Sequence, residues 1–438
     1  MYDLRPLKLY MHERVAEKAH WVQRAHRITR AVGRDLEEIV TVTQENLPEV
    51  VAELQGQWPP NDVPDGVPEP YLRPLVFTVL ELDGTEGPET EALLERCPEG
   101  TPANLVDSIW GRSLLIRHTH PRERDEAMDQ VCWPTYDFGV MGGCPHGCQY
   151  CHEGKWGQRI ALACNLEEYM EQVVAPTIEE HPWQRCFRMI GFGADLITFE
   201  PENGLFDLFT RKLAEYEGRY GYFHTASDNV DWVADLPRKD RLIGVWSLTC
   251  DAVARQIEKG GAGAAERVEA ARKCQEAGLP VRFKFKPMIP VRNWREEYAE
   301  AIEMALTGAD PESVGFCVLM WMDYESMVEH LDPELLDPDI LATAEEAADE
   351  MDGVRTGPFP HEVRADIYRF LIEQVRQHDP DVPLYVSTET REMWDELVEE
   401  LGQDPDSYVC GCSSVALPGG KLGLSQGCPH STYKTVTD

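Results

Sequence analysis

The chain has 438 residues and is 42% hydrophobic, so it is long enough for one large α/β domain with additions or for two domains. Its net charge of −37 disfavours binding to the phosphates of duplex nucleic acid. No run of 18 apolar residues occurs and the N-terminus has no signal-peptide core, so we expect a cytoplasmic protein with no membrane association. In that compartment the 13 cysteines predict reduced thiols and metal ligands instead of disulfides.

Residues 1–125 are predicted to form an N-terminal α/β region. The segment AEKAHWVQRAHRITRAV has helical spacing and EEIVTVT is strand-like. The run WPPNDVPDGVPEPYLRP then predicts a linker, because repeated proline blocks both helices and central strands. A further strand-like segment, SLLIRHTH, leads towards the next region.

Three closely spaced cysteines follow the strand-like segment YDFGV. Three residues separate Cys144 from Cys148 and two separate Cys148 from Cys151. Thiolates are soft ligands that favour iron–sulfur centres, and three of them would leave one iron of a 4Fe–4S cluster open. The next cysteine, Cys164, precedes Asn-Leu-Glu-Glu, which predicts a helix start instead of a fourth ligand. Zinc remains an alternative, because cysteines near the C-terminus could supply the second group of ligands that zinc sites usually have.

Strand-like and helix-like segments alternate over residues 126–400. This alternation predicts a parallel sheet built from βαβ units, and the count favours a partial (β/α)6 barrel with its active site at the carboxyl ends of the strands. Residues 401–438 are predicted to be a cysteine-containing tail. The predicted strands after YDFGV are RCFRMIGFG, YGYFHTAS, LIGVWSLT, LPVRFKFKPMIP, SVGFCVLMW and PLYVSTE.

Several segments together resemble the spore photoproduct lyase family of radical S-adenosylmethionine (SAM) enzymes. The C-x3-C-x2-C spacing is the signature of that superfamily. The other segments are KLYMHERVAEKAHWVQRAHRI, TASDNVDWVADL, IGVWSLTCDAVARQIEKGGAGAAERVEAARKCQEAGLPV and PLYVSTETREMWDELV.

The resemblance implies a 4Fe–4S cluster held by Cys144, Cys148 and Cys151. One electron, from a donor such as flavodoxin or ferredoxin, would cleave SAM reductively to a 5′-deoxyadenosyl radical that abstracts hydrogen from a pyrimidine or another anionic, nucleotide-like substrate. The implied SAM contacts are Tyr150 beside adenine, Gly191, Gly193 and Asp195 after the second strand, and Ser247 near the ribose or the methionine end. Gly191 and Gly193 could instead merely end a strand, and Ser247 could be an ordinary barrel residue.

The chain departs from the family at two positions. Ala194 and Asp195 stand where the family carries its hydrogen-donating cysteine, and Ala226 replaces a family lysine after Thr225. We therefore expect little repair of a thymine dimer in the family's way. Cys250, Cys317 or a tail cysteine could serve as a substitute donor.

The segment VRFKFKP alternates apolar and cationic residues. A period of two places Arg282, Lys284 and Lys286 on one face of a strand. If that face points into the barrel, the cations need an anionic partner, and Lys284 would bind the SAM carboxylate or a nucleotide-like substrate. The alternative is an outward, solvated face.

The tail contains a second group of metal-binding residue types. Cys410, Cys412 and Cys428, with His430, could bind an auxiliary iron–sulfur cluster or a structural zinc, or could act as catalytic thiols. An auxiliary cluster would favour a radical SAM peptide maturase. Zinc at both cysteine groups would favour a non-catalytic metal-binding protein.

Acidic residues spread along the whole chain, which predicts adaptation to high salt. The thermal melting temperature should then rise between low and molar salt, because salt screens repulsion between carboxylates. Differential scanning calorimetry across that range measures it. A melting temperature that does not change with salt would identify an ordinary acidic cytosolic protein.

Overall fold

The computed structural model of the chain describes residues 1–56, 60, 62–82, 88–112, 116–119, 129–151, 159–192, 194–406, 408 and 410–419. Two residues of the predicted sites, Gly193 and Cys428, lie outside these ranges, as does His430. Within the described ranges, no helix is long and apolar enough to cross a membrane.

One twelve-stranded sheet forms the centre of the structure, and it does not close into a barrel. Its order is β2-β1-β3-β6-β5-β7-β8-β9-β10-β11-β12, with β4 paired to β5. The strands are β1 Leu9–His12, β2 Ile39–Val42, β3 Leu75–Thr78, β4 Ile116–Thr119, β5 Thr135–Gly142, β6 Ile160–Ala163, β7 Cys186–Phe192, β8 Tyr220–Thr225, β9 Leu242–Leu248, β10 Val281–Met288, β11 Val314–Val318 and β12 Leu384–Val386.

Helices connect the parallel strands, as the alternating pattern predicts. The α-helices are α1 Ala19–Ala31, α2 Leu47–Gly56, α3 Thr90–Leu94, α4 Ala103–Trp110, α5 Leu166–Tyr169, α6 Ala175–Glu180, α7 Leu205–Ala214, α8 Asp251–Gln256, α9 Ala264–Glu276, α10 Trp294–Gly308, α11 Tyr324–His330, α12 Pro338–Glu346, α13 Ala348–Met351, α14 His361–His378, α15 Arg391–Glu396 and α16 Val398–Leu401. The predicted mixed α/β class is therefore confirmed.

Seven strands, β5 and β7 to β12, run parallel to one another and form the barrel part of the sheet. All the strands predicted in this region are present. With β12 they number seven, one more than the six of the predicted partial (β/α)6 barrel. The N-terminal strands β1, β2 and β3 continue the same sheet through β6, which is antiparallel to β5. The sequence analysis missed β1, β3 and β6, which have four residues each.

The face of β10 that carries its cations points into the barrel. Arg282 and Lys284 are 0% and 4% exposed, and they contact the tail segment inside the barrel. The sequence left the direction of this face open, and the structure shows the inward of the two alternatives. Lys286 continues the same row towards the carboxyl end of the strand.

Residues 410–419 form a floor beneath the barrel. Arg282 donates hydrogen bonds to the carbonyl oxygens of Gly411 at 2.9 Å and Ala416 at 3.0 Å, and it pairs with Glu312 at 2.9 Å. The carbonyl of Ser414 accepts from the backbone N–H of Cys186 at 2.8 Å, at the start of β7. The tail thus fills the amino-terminal end of the barrel and leaves the carboxyl end for the cluster loop.

Candidate active site

The loop that carries the three cysteines begins directly after β5, at the carboxyl edge of the parallel strands. Its backbone is fixed by hydrogen bonds from Gly260 N to the His146 carbonyl at 3.0 Å and from Gln149 N to the Ile257 carbonyl at 3.1 Å. The Arg73 guanidinium donates to the Cys144 carbonyl. Contacts from two distant parts of the chain, residues 257–260 and Arg73, therefore shape this loop without using its thiols.

Three glycines allow the close packing of the cluster loop. Gly143 and Gly147 have φ of +84° and +60°, a conformation that residues with a Cβ rarely adopt. Gly260 lies so close that a Cβ would be 2.4 Å from the Pro145 carbonyl oxygen and 2.7 Å from that of His146. A side chain at position 260 would therefore displace the loop.

The three thiols fit a cluster better than a single metal ion. Tetrahedral zinc with Zn–S bonds near 2.3 Å needs sulfurs about 3.8 Å apart. Among the described residues, Cys144, Cys148 and Cys151 do not form a group whose ligand atoms all lie within 4.8 Å of one another. Burial raises the pKa of Cys144 to about 12, so a bound cationic centre would be needed to hold it as a thiolate.

A buried network connects the cluster loop to the end of β9. The Tyr150 hydroxyl donates to Glu258, whose other carboxylate oxygen accepts from Arg267. Arg267 also donates to the backbone carbonyl of Ser247 at 2.9 Å. Glu258 and Arg267 are 2% and 0% exposed, so this pair stabilises the position of the loop relative to β9.

Asp195 lies on the other side of the cluster loop. Its carboxylate accepts from the Thr225 hydroxyl and from Ala226 N, both at 2.8 Å, and Oδ2 is 3.7 Å from His146 Nδ1. Burial raises the pKa of Asp195 to about 6, although both hydrogen bonds oppose the shift. Burial also lowers the pKa of His146 to about 3, so at neutral pH the imidazole is uncharged. Asp195 is therefore a buried anion directed at the cluster loop, where a SAM ammonium group could bind.

A chamber of about 120 Å³ lies inside the barrel, between the floor and the carboxyl edge. Its wall combines cations and hydroxyls from opposite sides of the barrel with two cysteine thiols. The lining residues are Cys132, Trp133, Thr135, Arg188, Tyr222, His224, Lys284, Lys286, Ser387, Thr388 and Cys412.

One of the predicted tail thiols, Cys412, lines this chamber, and Cys410 lies beside it. Cys410 and Cys412 have their sulfurs 3.9 Å apart, and the Lys284 ammonium donates to Cys412 Sγ at 3.2 Å. The hydrogen bond from Cys410, together with Lys284 and His224, holds the pKa of the Cys412 thiol well below its usual range. By contrast, Cys250 and Cys317 are fully buried and do not line the chamber.

Residues 132–317 match the family model of spore photoproduct lyase. Spore photoproduct lyase of Bacillus subtilis (strain 168) is 24% identical to this chain over 231 residues. The alignment covers 49% of this chain and 66% of that relative, which is just under two thirds of its length. The matched segment, which is less than half of the chain, is thus similar to the spore photoproduct lyase domain. The predicted resemblance to this radical SAM family is thus confirmed, and with it the prediction of an enzyme.

Two solved spore photoproduct lyase structures have the same fold. One is complexed with dinucleoside spore photoproduct, and the other is a mutant with bound AdoMet and dinucleoside spore photoproduct. Each has a TM-score of 0.59 and 15% identity, and each alignment covers 88% of this chain and 99% of that chain. The likeness therefore extends through the fold well beyond the segment matched by the family model.

Some of the predicted SAM-site residues lie close to the cluster loop, and one of them is outside the described residues. Tyr150 and Asp195 contact loop or neighbouring residues directly, whereas Ser247 is a β9 residue in register with Lys284. Gly191 lies in β7, and Gly193 is outside the described residues. Their roles with SAM remain predictions.

The Glu258–Arg267 pair and the close approach of Gly260 could not be predicted from the sequence. One signal was present, because Arg267 begins the Arg-x-x-Ala-Ala pattern that contributed to the resemblance. Nothing in the sequence indicated that this arginine binds a glutamate nine residues earlier. Its buried partner became evident only in the fold.

Replacing Gly260 by Ala should reduce the iron content of the reconstituted protein several-fold, because the new Cβ collides with the cluster loop. The cost in unfolding free energy should be about 1–3 kcal/mol. Iron analysis and thermal melting measure both effects. Gly56→Ala is the matched control, because nothing lies within 4 Å of its Cβ position. Unchanged iron content in Gly260→Ala would contradict the proposed packing.

Proposed function

We propose that the chain is a radical SAM enzyme that abstracts hydrogen from a pyrimidine or another anionic, nucleotide-like substrate inside the barrel. The observation that carries this proposal is the position of the three-cysteine loop at the carboxyl edge of the strands, directly above the cation-lined chamber. The family match supports the same cofactors. An oxyanion-bearing nucleotide would complement the charge of the chamber wall.

Cys144, Cys148 and Cys151 would hold the 4Fe–4S cluster, and Asp195 would bind the SAM amino group. When bound, the cluster and SAM supply the 5′-deoxyadenosyl radical that starts the reaction. Glu258 and Arg267 act as positioning residues, because they hold Tyr150 and the β9 end in place. None of the cysteines in the described residues forms a disulfide, which suits a reduced cytoplasmic compartment where a flavodoxin or ferredoxin would supply the electron.

Neither alternative function gains support from the tail. A metal ion bound to Cys412 would lie beside the positively charged Lys284 ammonium, which already donates a hydrogen bond to Sγ. Within the described residues, Cys410 and Cys412 have no third ligand that completes a compact site. We therefore favour a thiol role for this pair over an auxiliary cluster or zinc.

Cys412 is the thiol we propose as hydrogen donor. A substrate radical would take hydrogen from Cys412, breaking the S–H bond, forming a C–H bond and leaving the unpaired electron on sulfur. Donation requires the thiol form, whereas the Lys284 ammonium, 3.2 Å away, favours the thiolate. An anionic substrate bound at Lys284 would raise the pKa of Cys412 and so favour the thiol form. The position after β7 that carries the donor in relatives is Ala194 here.

Replacing Cys144, Cys148 or Cys151 by Ala should lower the formation of 5′-deoxyadenosine from SAM by at least a hundredfold, because the cluster loses a ligand. The measurement is chromatography of products after anaerobic reconstitution and reduction with dithionite. Cys97→Ala serves as the control, because this cysteine packs against α3 and α4, far along the chain from the cluster loop. A triple variant that still cleaves SAM would contradict the central assignment.

We expect wild-type protein to convert little dinucleotide spore photoproduct, and Ala194→Cys to convert severalfold more at an unchanged rate of SAM cleavage. The physical reason is that this substitution restores a thiol at the family's donor position. Chromatography of the thymidylyl-thymidine product decides the outcome, with Ala277→Cys as control.

Efficient conversion by the wild type would contradict the expectation of little repair. If that conversion then disappeared in Cys412→Ala but not in Cys250→Ala, Cys412 would be identified as the donor. Conversion that persists in Cys412→Ala would contradict the proposed role of this thiol.

A further inference from the structure

Two lysines face the chamber without a carboxylate partner, in a protein with 78 acidic residues. Lys284 is 4% exposed and Lys286 is largely buried. Among the described residues, no Asp or Glu oxygen lies within the 4.0 Å ion-pair distance of either ammonium group. Their neighbours are instead the Cys412 sulfur, the Thr388 hydroxyl at 3.5 Å from Lys286, and the Trp321 ring at 4.3 Å.

The other buried cations of the barrel interior are paired. Arg282, two residues before Lys284 on the same face, binds Glu312 at 2.9 Å. Arg188, across the barrel on β7, binds Asp137. A buried cation without an anion costs free energy. Burial and the nearby Lys284 lower the pKa of Lys286 to about 8, and a bound anion would oppose this shift.

The chamber wall also carries hydrogen-bonding groups that suit an oxyanion. Thr135, Ser387 and Thr388 contribute hydroxyls to its wall. His224 Nε2 is buried and has no hydrogen-bond partner among the described residues. Two ammonium groups with an imidazole and hydroxyls are the groups that proteins use to bind phosphate and carboxylate oxygens.

We propose that Lys284 and Lys286 form an oxyanion-binding subsite, and that its ligand is a phosphate group of the substrate. The oxyanion subsite itself is argued from the chamber alone. Only the identification of its ligand as a substrate rests on the proposed function.

The depth of the chamber bears on whether its anion is a substrate phosphate or the SAM carboxylate. Thr135 is the first residue of β5, whereas the cluster loop begins after the last. Arg188 and Tyr222 likewise lie three residues into β7 and β8, well before Asp195. The floor residue Cys412 closes the chamber from the opposite side. The chamber thus reaches down to the floor, whereas Lys284 is level with Ser247 and Lys286 lies nearer the carboxyl edge. This depth gives room for a substrate phosphate below SAM, and competition with SAM decides between that phosphate and the SAM carboxylate.

Binding of thymidine 5′-monophosphate and of thymidine to the full chain, measured by isothermal titration calorimetry, tests the subsite. We expect the monophosphate to bind at least tenfold more tightly than thymidine in the wild type, and inorganic phosphate to compete with it. In the double variant Lys284→Met, Lys286→Met the ratio should fall to about one. Lys273→Met is the matched control, because that lysine is exposed and pairs with Asp231.

Saturating SAM should leave the affinity for the monophosphate unchanged. If SAM and inorganic phosphate exclude each other, the anion is the SAM carboxylate and the assignment to a substrate is overturned. Equal affinity for thymidine and its monophosphate in the wild type, or a ratio that survives in the double variant, would overturn the subsite itself. These measurements need no SAM cleavage, so a failure of the proposed radical chemistry would be seen separately.

Thermal melting distinguishes a ligand-binding role of the two lysines from a purely structural one. Lys284 lies 3.2 Å from the Cys412 sulfur, whereas Lys286 has no anionic partner among the described residues. Lys286→Met should therefore melt at the same temperature as the wild type or higher, and phosphate should raise the melting temperature of the wild type more than that of this variant. A fall of several degrees in the variant would mean that Lys286 holds the fold together, and would contradict a ligand-binding role.

Discussion

Parallel hydrogen bonding from β5 through β12 is the constraint on which the rest of the structure depends. It brings the carboxyl ends of seven strands to one edge, so the cysteine loop after β5, Asp195 after β7 and Ser247 in β9 come close together although they are far apart in sequence. It also aligns the inward residues in rows, which places Lys284 beside Ser247 in register. Both the cluster loop and the chamber are consequences of this register.

Charge is distributed differently inside and outside the barrel. The chain is strongly acidic as a whole, yet Arg188, Lys284 and Lys286 all face one small internal space. An acidic exterior repels anionic ligands at long range, and salt screens that repulsion. Recognition of an anion would then depend on short-range contacts inside the barrel instead of on attraction at the surface.

The fold and the cluster loop could be predicted from sequence because both depend on local patterns. Strand–helix alternation is a periodic signal, and the cysteine spacing lies within eight residues. The inward orientation of Lys284 was left open, since a period of two defines a face but not its direction. The Glu258–Arg267 pair and the close approach of Gly260 were missed, because such contacts depend on how separate loops meet. Short strands such as β3 lack enough residues to show a period.

The floor of the barrel has a consequence for how the chamber assembles. Ser414 donates to the Pro134 carbonyl across 280 positions, and Cys186 Sγ donates to the Ala416 carbonyl across 230. Every strand that the floor touches is synthesised before the floor segment itself. Wherever the strands pair before the floor docks, the lower end of the barrel stays open and its internal cations are exposed to solvent. Contacts between such distant segments form slowly, so closing the floor would be a late step in the maturation of the chain.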